Sequence, residues 1–451
     1  MRAFPSPSLE SLPLRLSLLS PLLVSLLSWG SACTSADDDE VFDEPNWPMA
    51  ESNLSRDQDP ELDDVEIAQL RANQEALGLD IYHQLRQTPD LAEENFSLSP
   101  YSLAAAMGMV YGGTVGQARE EMEAVLHFNL GDERQHVAHN WIDQQLLARN
   151  LEADENHDAV IIAPANGVWV EQSIASGVES DFLDLLAVHY GAGLRLADFF
   201  GDSEGERLRI NAWVEARTHG LIPELLPANT LEGTLMAIIN ALYLAAPWQT
   251  PFETTLPEDF TLADGSQVSV DTLSNTQVDQ SLGYSLTEDY EICTIDLRGG
   301  ALEFVVIEPQ GDFATFEAAL DQPTFASLID EAHAQIDGGS LFLPRFSVDA
   351  KFSLREALIS LGMPTPFASG EHFTGISPAL TQISDIIQQT TVKVDEGGIE
   401  AAATTVVLFG DEVGSGGGGG VECRIDKPFI FAIRDSSSDT LLFLGRVLDP
   451  R

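Results

Sequence analysis

Ser203 lies in the stretch Gly201–Gly205 (GDSEG), which matches the G-x-S-x-G pattern around many hydrolase nucleophiles. That chemistry needs a strand before the serine, a helix after it, and an acid and a histidine further along. A helix is predicted over residues 207–217 and histidines follow, but residues 194–200 are a poor strand candidate and Glu204 is bulky beside a tight turn. We therefore expect a polar surface loop, with no enzymatic activity of its own.

Two other patterns resemble ligand-binding motifs. His136 and His139 are spaced H-x-x-H on a predicted helix, but no third ligand is near, so we expect surface residues and no metal site. Gly416–Gly420 is a run of five glycines. A phosphate loop needs a following Lys-Ser/Thr, which Val421 and Glu422 do not supply, so we expect an exposed loop and no cofactor.

The three cysteines are too few for a disulfide scaffold. Cys33 follows the apolar run of residues 16–29 behind two arginines, a pattern typical of a secretory signal. Gly30 to Cys33 (GSAC) resembles a bacterial lipobox, which predicts a signal peptide over residues 1–32 and a lipid on Cys33. Ordinary cleavage after Ala32 is the alternative. Cys293 and Cys423 are able to pair in an oxidising compartment, but their spacing does not decide it.

The chain is strongly acidic, with 72 Asp and Glu against 22 Lys and Arg, a formal charge of −50 and a pI near 4.1. Nucleic-acid binding and adsorption to anionic lipid both need basic surface, so both are excluded. Residues 33–64 hold twelve acids, one base and three prolines. This composition predicts a flexible, self-repelling tether before a single folded domain at residues 65–451.

Helices and strands are mixed without strict alternation in that domain. Apolar spacing predicts helices beginning near Val65, after Ser99-Pro100 and over residues 115–126, and helices dominate to about residue 230. Strands are predicted at residues 234–244, 302–307, 341–346, 390–394, 429–433 and 440–447. The fold class is therefore α+β, with a large mixed sheet.

An uncharged, strand-competent segment lies between glycines near the carboxyl end. Gly397-Gly398 permits a sharp change of direction. In Ile399–Phe409, alternate residues share one face of a strand and none of those is charged; Glu400 falls on the other face. The segment can therefore enter a sheet without burying a charge there. An ordinary internal strand followed by a linker is the alternative.

Motifs along residues 65–451 together resemble the serpin family. They are Asn95–Ser102 (NFSLSPYS), Asn211–Val214 (NAWV) with Thr218–Ile222, Asn240–Tyr243 (NALY) with Trp248 and Phe252, Phe342–Phe346 (FLPRF) with Leu361-Gly362-Met363, Glu396–Thr404 (EGGIEAAAT), and the Pro428–Pro450 signature. The resemblance implies one large domain with a large central mixed sheet, further smaller sheets, eight or nine helices and an exposed reactive loop.

The resemblance also implies a function. A target serine or cysteine protease attacks the reactive loop as a substrate, and the loop inserts into the main sheet before the acyl-enzyme is hydrolysed. Family spacing places the reactive bond at Glu412–Val413, with Asp411, Phe409 and Leu408 as alternatives. The hinge would be Glu396, Gly397, Gly398, Ile399, Glu400, Ala401, Ala402, Ala403 and Thr404.

The resemblance further assigns a sheet-opening region to Ser99, Ser102, Asn211 and Gln388. Two positions depart from the family pattern: Ile399 replaces the usual threonine, and Gln388 stands where histidine is common. We expect a monomer that contacts a membrane only through a lipid on Cys33. The sequence leaves two other interpretations, a non-inhibitory binding or chaperone-like member and a hydrolase using Ser203.

Overall fold

The computed structural model describes residues 44–154, 157–399 and 421–451. The predicted signal peptide, Cys33 and the predicted reactive bond lie outside these residues, as do the predicted hinge positions from Glu400 onward. Within them, nine α-helices are present: α1 (Asp64–Leu85), α2 (Pro100–Tyr111), α3 (Gly116–Val125), α4 (Asp132–Leu147), α5 (Ser180–Leu185), α6 (Phe199–Arg217), α7 (Phe313–Ala319), α8 (Gln322–His333) and α9 (Arg355–Leu361). None of these described helices has the length and apolarity to cross a bilayer.

The described strands number sixteen. In chain order they are β1 (Met49–Ala50), β2 (Phe96–Leu98), β3 (Ile161–Glu171), β4 (Leu194–Ala197), β5 (Met236–Pro247), β6 (Thr254–Thr261), β7 (Gln267–Leu286), β8 (Tyr290–Asp296), β9 (Leu302–Pro309), β10 (Ile336–Pro344), β11 (Phe346–Ser353), β12 (Ile387–Val394), β13 (Gly398–Ile399), β14 (Val421–Arg424), β15 (Phe429–Asp435) and β16 (Thr440–Val447).

Two sheets organise the molecule. The first has seven strands in the order β1-β4-β3-β5-β13-β12-β11 and is mixed, because β3 and β4 are parallel while its other neighbouring strands are antiparallel. The second has nine, in the order β14-β10-β7-β8-β9-β15-β16-β2 with β6 beside β7. The α+β prediction with a large mixed sheet is confirmed.

The helix starts follow from local chemistry. Asp63 caps α1 by accepting from the amides of Val65 and Glu66, and the Glu66 carboxylate accepts from Asp63 N at 2.9 Å. Ser99 caps α2, with Pro100 in its first turn. Both starts agree with the sequence prediction.

Two predictions about the amino-terminal half differ from the structure. β3, an eleven-residue strand, lies in a region predicted to be mainly helical, and Leu194–Ala197, judged a poor strand candidate, forms β4. Both strands pair inside the first sheet. Pairing with β5 overrides the local pattern of β3, whose sequence contains proline and glycine.

Residues 44–63 pack on the folded domain, although their composition predicts a flexible tether. Trp47 is only 4% exposed and lies in an apolar cluster between α6 and the first sheet. Its Nε1 donates to Glu206 at 2.7 Å, and Met49–Ala50 adds β1 to the sheet edge beside β4. We name residues 44–50 the amino-terminal strap. One buried tryptophan and a short edge pairing anchor a segment whose average composition is that of a disordered chain.

Candidate functional site

The candidate site lies where β13 enters the first sheet. Val394 of β12 pairs with Ile399 on one side, and Gly398 and Ile399 pair with Pro247 and Ala246 of β5 on the other. Both pairings are antiparallel, so the start of the predicted hinge already forms a two-residue strand between β5 and β12. Ile399 is 2% exposed there. It stands at the position where threonine is usual, and an apolar side chain suits this buried setting.

A tight turn reverses the chain between β12 and β13. The Asp395 carboxylate accepts from the amides of Gly397 and Gly398, at 2.8 and 3.2 Å, and Asp395 N donates to Gly398 O at 3.1 Å. A Cβ on Gly398 would clash with the Ala246 carbonyl oxygen and lie 2.6 Å from Pro247 Cα. Glycine is required here because the β5 backbone passes directly against the turn.

The turn is held from below by the residues that follow β5. Trp248 N donates to Gly397 O at 3.0 Å and its Nε1 donates to Asp395 O at 2.8 Å, while Phe252 N donates to Glu396 O at 3.1 Å. Trp248 and Phe252 are both buried, with their rings edge to face. Trp248 and Phe252 of the NALY…W…F motif therefore bind the hinge turn, although the two motifs lie well over a hundred residues apart.

Glu396 anchors the outer side of the turn. Thr255 Oγ1 donates to its carboxylate at 2.5 Å, and Arg345 Nη1 lies 3.8 Å away. Burial acts to raise the pKa of this carboxyl, but the Thr255 hydrogen bond and the arginine charge hold the pKa below its usual value. Glu396 is therefore ionised at neutral pH and fixes the point from which the chain enters the sheet.

Beyond β13, the other end of the β5–β12 gap is a cavity. Its walls include Met236–Ile239 at the start of β5, Ile387 at the start of β12, and the segment around Leu380–Asp385. The ladders of β5 in the described chain are with β3 and β13. The space between β5 and β12 thus has two hinge residues at one end and a cavity at the other.

Three of the four predicted sheet-opening residues come together at the start of α2. Gln388 Oε1 accepts from Ser99 N and Gln388 Nε2 donates to Ser99 O, both at 3.0 Å. Ser99 Oγ accepts from Ser102 N at 3.2 Å, whereas Ser102 Oγ is buried without a described partner. A neutral amide therefore joins β12 to the α2 start by one accepted and one donated bond.

Sequence reasoning missed a second connection at this junction. Thr390 Oγ1 lies 2.7 Å from Ser97 Oγ and also donates to Ser97 O at 2.9 Å. Thr390 is two residues from Gln388 and so shares its face of the strand, which was the available signal.

Asn211 does not join this group, and its assignment to the sheet-opening region is corrected. It lies on α6, where its amide donates to Leu226 O at 3.0 Å and accepts from Leu226 N at 2.8 Å. That helix belongs to the separate apolar cluster containing Trp47. Asn211 therefore holds the loop after α6 against the helix through both backbone groups of Leu226.

Ser203 lies inside α6, with no histidine among its described hydrogen-bond partners. The strand β4 that precedes it satisfies one requirement of a nucleophile elbow, but the helix begins at Phe199, before the serine. The His136 and His139 prediction is also corrected. Both side chains are buried, at 2% and 4% exposure, instead of lying on the surface.

Cys293 and Cys423 form a disulfide. It joins β8 to β14, the first described strand after the predicted reactive bond, and both cysteines are buried. Separation by 130 residues is why spacing alone did not decide the pairing.

Comparisons with known proteins agree with this geometry. The family model described as "Serpin (serine protease inhibitor)" matches residues 72–450. Iripin-3 from Ixodes ricinus is 30% identical over 80% of this chain and 90% of its own length, and a serpin-like protein from Methanosarcina acetivorans is 28% identical over 86% and 89%. The native-state crystal structure of the thermophilic serpin Tengpin aligns with a TM-score of 0.72 and 23% identity, over 88% of this chain and 97% of that one. On the family-model match and these relatives, the chain belongs to the serpin family, whose members are generally protease inhibitors.

Proposed function

We propose that this protein inhibits serine proteases, or cysteine proteases, as a suicide substrate. Its reactive loop is cleaved near Glu412–Val413 and inserts between β5 and β12 while the protease is still bound as an acyl-enzyme. The observation that carries the proposal is β13. Gly398 and Ile399 already lie between these strands and are antiparallel to both, so further insertion extends an existing pairing.

The chain beyond β13 suits this step. Residues 399–412 would extend roughly 45 Å as a strand at ~3.3 Å per residue, enough to cross a large sheet. The cavity at the far end of the β5–β12 gap offers space for the last residues to insert, those nearest Glu412. The hinge residues Ala401, Ala402 and Ala403 have small side chains, so the sheet can admit them with little steric cost.

The residue before the reactive bond sets the choice of protease. Glu412 suits a protease whose specificity pocket is basic, and so does Asp411. Phe409 or Leu408 would suit proteases with apolar pockets. Glu412→Arg should therefore redirect the inhibitor to proteases that cleave after arginine. Asp411→Arg is the matched control, and mass analysis of the carboxy-terminal fragment distinguishes a cut after residue 412 from a cut after residue 411.

Incubation with a panel of proteases tests the inhibitory mechanism. We expect an adduct that survives SDS, together with a carboxy-terminal fragment beginning at Val413 when the disulfide is reduced. Heat stability should rise after loop cleavage, because insertion adds a strand to the sheet. Cleavage without an adduct and without stabilisation would favour a non-inhibitory binding or chaperone-like protein. Hydrolase activity that is abolished by Ser203→Ala would favour a hydrolase using Ser203.

We also propose that residues 1–32 export the chain and that Cys33 carries a lipid, which would anchor the inhibitor at the cell envelope. The support is the apolar run followed by GSAC. Cys33→Ala should move the protein from the membrane fraction to the soluble fraction. Equal distribution of the two forms would contradict the anchor and leave the ordinary cleavage alternative.

A further inference from the structure

A histidine cluster lies away from the hinge, between α4 and the helical segment formed by α5 and a π-helical turn at Leu186–Tyr190. The rings of His136 and His189 are 5.8 Å apart, and Tyr190 lies beside both His136 and His139. Sequence spacing indicated only His136 and His139, because His189 comes from a separate helix. Single π-helical turns often mark functional positions.

Two imidazole nitrogens in this cluster are buried without a described hydrogen-bond partner. They are His136 Nε2 and His189 Nδ1. The His136 side chain is only 2% exposed and, with His189, lines a shallow depression on the surface. Buried polar atoms in proteins are nearly always satisfied, so two unsatisfied nitrogens on neighbouring side chains that line one depression point to a missing ligand.

The chemistry around these nitrogens selects a cation. The same depression is lined by Asp132, Glu133, Asp181 and Asp184, and Asp132 Oδ1 lies 3.8 Å from His136 Nε2. One cation is near: Arg119 Nη2 donates to Asp132 at 2.5 Å. Four carboxylates around two neutral acceptors give a site of net negative charge, which excludes an anionic ligand.

His136 is oriented as a metal ligand would be. Its Nδ1 lies 2.9 Å from Tyr190 Oη, and the tautomer that donates to this oxygen leaves the Nε2 lone pair free to bind a metal.

We propose that this cluster binds a divalent transition-metal ion such as Zn²⁺ through His136, His189 and Asp132. Imidazole nitrogens suit Zn²⁺, Cu²⁺ and Ni²⁺, whereas Mg²⁺ and Ca²⁺ prefer sites built from oxygen alone. To bind an ion at the ~2.1 Å that zinc requires, the half-buried His189 ring and the exposed Asp132 carboxylate would have to rotate towards His136. The ion would join α4 to the π-helical turn and is independent of the proposed inhibitory activity.

Titration of the full chain, prepared without a histidine tag, tests the site. Isothermal calorimetry with Zn²⁺ should show one equivalent bound, and the melting temperature should rise with Zn²⁺ but not with equal Mg²⁺. His189→Ala should weaken binding at least tenfold, and Asp132→Asn should weaken it less. The half-buried His189 and exposed Asp132 are the test positions because substitution of the buried His136 risks the fold.

His157→Ala is the matched control, since this histidine lies outside the cluster, beside Asp154. It should leave Zn²⁺ affinity unchanged. Co²⁺ in place of Zn²⁺ should give visible d–d absorption that disappears in His189→Ala. Absence of stoichiometric Zn²⁺ binding, equal affinity in His189→Ala and the native chain, or loss of affinity in His157→Ala would each overturn the proposal.

Discussion

Gly398 is the residue at which the proposed loop insertion would begin. Its missing side chain lets the hinge lie against the backbone of Ala246 and Pro247. A larger residue would hold the first inserting pair away from β5, so insertion would start later relative to hydrolysis of the acyl-enzyme.

Gly398→Val should therefore convert the protein from inhibitor towards substrate. We expect several-fold more inhibitor to be consumed per protease inactivated, measured as the stoichiometry of inhibition. Gly311→Ala is the control, because a Cβ there meets open space. An unchanged stoichiometry in Gly398→Val would show that β13 is not the starting point of insertion.

Gln388 is the second residue whose role is local. Its amide bonds both backbone groups of Ser99, and an alanine would leave the buried Ser99 N–H without this acceptor, whereas Ser99 O would keep its bond from Leu103 N at 3.1 Å.

Gln388→Ala should lower the free energy of unfolding by about 2 kcal/mol, the usual cost of leaving one buried hydrogen-bonding group unpaired. Urea denaturation followed by circular dichroism measures the change. The neighbouring Gln389→Ala should cost less, since Gln389 only reaches Asp349 at 3.3 Å on the exposed side. Equal losses in both variants would place the effect in strand propensity instead.

At the level of elements, the disulfide should keep the carboxy-terminal fragment attached after the reactive loop is cleaved. β14 follows the reactive loop, and its bond to β8 ties the carboxy-terminal side of the cut to the body of the protein.

After proteolysis, residues 413–451 should separate in SDS only when a reductant is present. In Cys423→Ser they should separate without one. Electrophoresis under both conditions measures this directly. Release from the native protein without reductant would show that Cys293 and Cys423 are not joined in solution.

β8 also carries a buried carboxyl with an unusual titration. Burial raises the pKa of Glu291 to about 7, against the hydrogen bond from Arg424 N and with a contribution from Glu308. Between pH 4.5 and 7 the folded carboxyl keeps a proton that the unfolded one has lost. Stability from this group is therefore lost as pH rises through that window.

Glu291→Gln should raise the melting temperature relative to the native chain at pH 8 and leave it nearly unchanged at pH 5. Glu288→Gln, at an exposed position on the adjoining turn, should show no such difference. A pH-independent effect of Glu291→Gln would assign the change to packing and not to ionisation.

At the scale of the whole molecule, the amino-terminal strap connects the start of the described chain to α6 and the first sheet. Trp47 packs edge to face on Trp169, with the Arg209 guanidinium over its ring, and Glu44 accepts from Trp213 Nε1 at 2.6 Å. The strap therefore covers α6 and extends the first sheet at its β4 edge.

Trp47→Ala should destabilise the protein by about 3 kcal/mol, as expected for truncating a buried aromatic side chain. Thermal unfolding of the full chain measures it. Leu54→Ala, at a position 53% exposed, is the control and should change little. A negligible effect of Trp47→Ala would mean that the segment is only loosely attached.

The sequence by itself determined the features that depend on residues close together in the chain, such as helix starts and buried strands. Ser99 and Pro100 start α2 through local hydrogen bonding and a fixed φ, and the apolar runs of β9, β15 and β16 are buried along their whole lengths. The motifs along residues 65–451 together also indicated the family, because each is a short run of neighbouring residues that can be read without knowing the fold.

Only the tertiary structure decided which distant residues meet. Four contacts join segments that no sequence period or spacing connects. They are the hydrogen bond from Trp248 to the hinge turn, the Cys293–Cys423 bond, the approach of His189 to His136, and the packing of Trp47 on the folded domain. Average composition predicted a free tether at residues 33–64, since one tryptophan hardly alters an average. Burial of that one side chain nevertheless stabilises residues 44–50 on α6, because its contacts come from the folded domain and not from the segment itself.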